Sequence, residues 1–132
     1  MRAWGVLAAG IVAATAMVTV GAQVSQPYSG NGDYQVYCSS CHGAEARGDG
    51  AIAKSLKSRP SDLTQLKMRN DGVFPADRVF KIIDGRKGVA HSDSDMPMWG
   101  DVFAKASESA GEDKTAKRID TLVKYLETLQ AK

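Results

Sequence analysis

The stretch Cys38-Ser39-Ser40-Cys41-His42 organises the reading of this 132-residue chain. It brings two thiols and an imidazole side by side, and its two cysteines are the only ones in the sequence. Several chemistries use paired thiols at this spacing. A thioredoxin-like dithiol needs the pair near a strand-helix-strand pattern, and no convincing buried strand is legible here. Structural zinc takes additional ligands at characteristic spacings. The only other histidine is His91, far downstream, and no second sulfur or imidazole pair accompanies it. A disulfide between Cys38 and Cys41 would close a very small loop and constrain little. C-x-x-C-H is, by contrast, the spacing for covalent attachment of c-type haem. The two sulfurs add across the vinyl groups as thioethers, and the adjacent imidazole is held beneath the iron as proximal ligand. The motif therefore predicts one covalent haem c, bound through Cys38 and Cys41, with His42 on the iron.

The N-terminus agrees with that chemistry. Residues 1–22 read as an export signal: Arg2 supplies the positive region, an uncharged Ala-, Gly- and Val-rich run follows from Trp4, and Val20-Gly21-Ala22 offers a small-residue cleavage site. The same run approaches the length of a spanning helix, so an uncleaved anchor is the alternative. Either way the folded part is expected outside the cytoplasm, in the periplasm or otherwise exported, with a membrane tether only if the segment is retained. Residues 23–29 read as a flexible leader, and residues 30–132 as one domain.

Lysine and arginine number 17 against 15 aspartate and glutamate, and loss of Arg2 with the signal brings the two closer. No general basic excess supports nucleic-acid binding. Locally, Arg47, Lys54, Lys57, Arg59, Lys67 and Arg69 outnumber Glu45, Asp49 and Asp62. That imbalance is either a solvated loop or a mildly basic docking surface.

The remaining pattern is helical. A first helix is expected over about Asn31–Ser40, and a short one over Ala51–Lys57. Ser61 or Asp62 can cap another turn entering Leu63. Pro75 fits a first helical turn, Val79, Ile82 and Ile83 follow at helical spacing, and Gly85 supplies a stop. Residues 85–100 read as loop. The strongest signal spans about Glu112–Gln130, where Ile119, Leu122, Val123, Leu126 and Leu129 share one face. The class is thus all-α, with four to five short helices and long loops. So few short helices bury little apolar surface, and a large flat haem at the centre of the core resolves that deficit.

A histidine-ligated haem has a second axial position. In Asp95-Met96-Pro97-Met98-Trp99-Gly100 the proline pushes Met96 toward extended backbone and stiffens the segment, which suits Met96 to present its sulfur to iron. Met98, two residues on, is the second choice. Met68 reads as packing. His91, in a polar neighbourhood, reads as a surface residue.

With these residues in view, the chain resembles the small class I cytochromes c over most of residues 30–129. Gly30 and Tyr34 stand before Cys38 as the glycine and aromatic of that family's first helix do, and Leu122, Tyr125 and Leu126 look like its last-helix contacts. The resemblance implies a cytochrome c fold in which first and last helices cross at a glycine. It implies a proline carbonyl accepting the proximal histidine's free ring N–H, with Pro60 as the match. Trp99 would pack on the haem or donate its indole N–H to a propionate, and Arg86 and Lys87 are further propionate partners. The function implied is electron transfer between transient redox protein donors and acceptors, with no catalysis by the chain alone. A haem-based ligand sensor or weak peroxidase with an open or labile distal site is one alternative, and the cytochrome subunit of an oxidoreductase complex is another.

Overall fold

The computed structural model describes residues 28–87, 95–106 and 112–132. The expected export segment, most of the leader and His91 lie outside them. Among the described residues there are five α-helices and no strand: α1 (Gly30–Tyr37), α2 (Ser39–His42), α3 (Ala76–Asp84), α4 (Trp99–Ala106) and α5 (Glu112–Thr128). Single turns of 3₁₀ helix at Ala53–Ser55, Leu63–Gln65 and Met68–Asn70 punctuate the long connection between α2 and α3. The regular structure of the described residues is all helical, as the periodicity predicts. No helix among the described residues is long and apolar enough to cross a membrane.

The first helix is shorter than the sequence suggests. Ser29 caps α1, its hydroxyl accepting from Gly32 N–H at 3.0 Å. At Cys38 the backbone swings to φ −116° and the helix stops. The chain then makes the separate turn α2, closed by His42 N–H on the Cys38 carbonyl at 2.9 Å. This break re-aims the C-x-x-C-H segment away from the axis of α1.

The helix α5 carries the core. Ile119, Leu122, Val123 and Leu126 are buried along its predicted stripe and meet Tyr34, Val79, Ile83 and Phe103. It stops just short of Gln130, whose side-chain amide donates to the Leu126 and Leu63 carbonyls at 2.8 Å each. The Gln130 side-chain oxygen in turn accepts from Lys67 N–H at 2.8 Å. One side chain thus ends α5 and pins the 63–67 segment to it.

α1 crosses α5 at Gly30. A Cβ there would run into the Thr121 backbone carbonyl and lie 2.6 Å from Tyr125 Cβ, so only glycine allows the backbones to approach this closely. Tyr34 and Tyr125 meet beside the crossing as tilted rings, their centroids 5.6 Å apart. Tyr34 is fully buried and donates its hydroxyl to the Gly43 carbonyl at 2.6 Å. Burial, first, and the nearby Cys38 push its ionisation well above the usual tyrosine range, so it remains a donor.

On α3, Val79 and Ile83 face the core while Arg78 and Ile82, one turn apart, face a cavity. Pro75 stands just before the first helical residue, and Gly85 ends the helix in the left-handed region at φ +68°. The helix α4 occupies part of the stretch read as loop. Its Gly100 reads as a breaker, yet lies where a side chain would strike the Asp84 carboxylate and the Arg86 guanidinium. Close packing on the end of α3, not turn chemistry, requires glycine there. Phe103 is fully buried and joins α4 to the core.

Candidate haem-binding site

A cavity of about 410 Å³, in the size range of small-molecule sites, opens between the α2 turn, the 56–61 segment, α3 and the 95–99 segment. Cys38, Cys41, His42, Pro60, Met96 and Trp99, from three separated stretches of the sequence, all line it. Met98 does not line it. Met98 is exposed and packs its side chain across Gly85. Of the two candidate sulfurs, the structure therefore brings only Met96 to the cavity that holds His42.

The imidazole is oriented by a backbone carbonyl, but not that of Pro60. His42 Nδ1 lies 3.0 Å from the Ser61 carbonyl oxygen, one residue beyond the expected partner. The reason lies in the next loop. The Pro60 carbonyl is turned toward Gly48, close enough that a Cβ on Gly48 would collide with it, and it is the next carbonyl, that of Ser61, that faces His42. Gly48 N–H donates back to the His42 carbonyl at 2.7 Å, so this loop fixes both ends of the arrangement. Burial, outweighing the Ser61 bond, holds the His42 pKa below its ordinary value. The neutral ring, donating Nδ1–H to Ser61, keeps the Nε2 lone pair as its metal-binding position.

Cys38 and Cys41 are free thiols. Burial, then the Asp33 carboxylate and Cys41, push Cys38 up to about 12. The thiolate is the reactive form in thiol-disulfide exchange, and this shift disfavours it at Cys38. Among the described residues no group of three or more His, Cys, Asp or Glu side chains is placed to hold a bare metal ion. The side chains present would fit haem: Cys38 and Cys41 offer sulfurs for covalent attachment, and His42 and Met96 would offer an imidazole and a thioether to its iron. Leu56, Ile82, Pro97, Tyr37 and Trp99 give the cavity apolar and aromatic walls.

Its cationic lining differs from the sequence expectation. Arg86 is engaged with Asp84 at 2.7 Å, and neither Arg86 nor Lys87 reaches the cavity. Arg59 and Arg78 do. Arg78 had a legible signal, lying one helical turn before Ile82 on α3. Arg59 had only its place beside Pro60. Asp95 was also missed. Its carboxylate accepts from Lys57 N–H at 2.6 Å and so anchors the residue preceding Met96 to the opposite rim.

Comparison of the chain with protein-family models, curated proteins and solved structures gives no match. The functional reading therefore rests on the site.

Proposed function

We propose that the protein is a monohaem electron carrier of the class I cytochrome c type, exported from the cytoplasm and acting between transient redox protein partners. The observation that carries this reading is the convergence of Cys38, Cys41, His42 and Met96 on one cavity. When bound there, haem c supplies reversible one-electron exchange between ferric and ferrous iron. Cys38 and Cys41 hold the group covalently. His42, oriented through Ser61, offers Nε2, and Met96 offers its sulfur on a backbone stiffened by Pro97 and tied down by Asp95. The apolar walls exclude water, and Arg59 and Arg78 provide cations for the propionate carboxylates. With His42 and Met96 both offered to the iron, the chain would leave little room for external ligands.

The Met96→Ala holoprotein tests the distal assignment. It is expected to lose the weak long-wavelength sulfur-to-iron band of the ferric state, to fall in potential and to bind carbon monoxide quickly when reduced. An unaltered methionine-type spectrum would exclude Met96 and promote Met98. Rapid, complete carbon monoxide binding by the unsubstituted protein at neutral pH would favour the sensor or peroxidase alternative. Asp95→Ala acts more gently. Loss of its bond to Lys57, worth about 1 kcal/mol at an exposed site, is expected to let added imidazole displace the ferric thioether at a several-fold lower concentration. Visible titration measures this, and an unchanged midpoint would show that the tie does not restrain Met96.

A further inference from the structure

A buried ion pair stands behind the cavity wall, and neither haem attachment nor ligation uses it. Arg118, on α5, donates through Nε to Asp33 Oδ2 at 2.8 Å and through Nη2 to Oδ1 at 2.7 Å. The two residues are 7% and 8% exposed, so solvent and salt screen them little. Aromatic rings complete the enclosure. Arg118 Cζ lies 4.1 Å from the Phe103 ring centroid, 4.5 Å from Tyr28 and 5.2 Å from Tyr37. Tyr37 meets Trp99 edge-on at 5.4 Å, and both rings line the cavity. The pair is therefore separated from the cavity by one side-chain layer.

Packing alone does not call for ions at this place, since apolar residues of similar volume often replace a buried pair without loss. Each ionised member, taken alone, would impose a field on the cavity that its partner removes. We propose that Asp33 and Arg118 are a charge-balanced pair coupled to the haem, each cancelling the field of the other at the iron, so that loss of either charge alone moves the reduction potential. The inference rests on the electron-carrier reading. Ferric haem carries one more positive charge than ferrous haem. An uncompensated carboxylate would therefore stabilise the ferric form and lower the potential, and an uncompensated guanidinium would raise it. A unit charge this close and this poorly screened shifts the ferrous-to-ferric ratio by on the order of ten-fold, equivalent to about 59 mV for a one-electron couple.

Redox titration of the Asp33→Asn, Arg118→Gln and doubly substituted holoproteins at pH 8 tests the pair, with covalent haem first verified by pyridine haemochrome and stability followed by urea unfolding. The expected result is a raised potential for Asp33→Asn, a lowered one for Arg118→Gln, and a return toward the original value in the double variant. A merely structural pair would lower the urea midpoint of both single variants and leave their potentials unmoved or shifted in the same direction, which would overturn the proposal. If Arg118→Gln does not fold, Arg118→Lys replaces it. Retained charge should then keep the potential near its original value while Asp33→Asn raises it, and failure of either overturns the inference. If the unsubstituted protein carries no covalent haem, the electron-carrier reading fails first, and the haemochrome assay reveals this separately.

Discussion

Replacing Cys38 and Cys41 together by alanine is expected to give a colourless chain with little helical structure. Among the described residues the fully buried hydrophobics are few: Tyr34, Ala46, Phe103 and Ile119 are completely enclosed, with Leu122, Leu126, Val123, Ile83 and Val79 nearly so. They gather around α5, on one side of the molecule's central cavity. The 56–61 segment has that cavity as its neighbour, and the 95–99 segment borders it as well as the core, against which Met96 and Trp99 pack. Without a group in the cavity, the 56–61 segment loses much of what it packs against and the 95–99 segment one of its two supports, and small domains that depend on a bound group fold poorly without it. Circular dichroism of the double variant, beside the parent protein expressed with haem-maturation machinery, measures the effect. Native-like helicity in the colourless variant would show that the polypeptide core suffices alone.

The second large effect is expected at the helix crossing. Gly30→Val places side-chain carbon against the Thr121 carbonyl and Tyr125 Cβ. The obstacle on one side is backbone, so relief requires α1 and α5 to separate. Overpacking of this kind costs about 1–3 kcal/mol and more where backbone must move. Separation would also disturb the Tyr34–Tyr125 contact and the nearby Arg118–Asp33 pair, so a loss of about 3 kcal/mol or more is expected. It is read as a fall in the urea midpoint of the holoprotein. Thr121→Ala, which leaves the carbonyl in place, is expected to change the midpoint far less. Equal midpoints for Gly30→Val and the parent would mean that the crossing is looser than described.

Much of this arrangement is legible in the sequence where a single residue type has a single use. The C-x-x-C-H spacing locates one wall of the cavity, the stripe of α5 locates the core, and the Met96-Pro97 order selects the methionine that the fold brings to the cavity. What sequence reasoning misses depends on contacts between distant segments. The choice of Ser61 over Pro60 as the His42 partner turns on which way one peptide plane faces, and Gly48, on another loop, determines that. The helix α4 hides behind Gly100, whose need for glycine comes from Asp84 and Arg86. Arg86 looks as eligible as Arg78 to line the cavity until Asp84 is seen to hold it. The pairing of Asp33 with Arg118 joins the first and last helices and leaves no local pattern at all.

The decisive measurement is a reduced-minus-oxidised visible spectrum of the mature protein from a haem-competent host, followed by acid–acetone extraction and a pyridine haemochrome assay. Sharp c-type bands, pigment that stays with the polypeptide and one haem for each chain are predicted. A colourless preparation, or pigment that passes into the solvent, would contradict covalent attachment through Cys38 and Cys41.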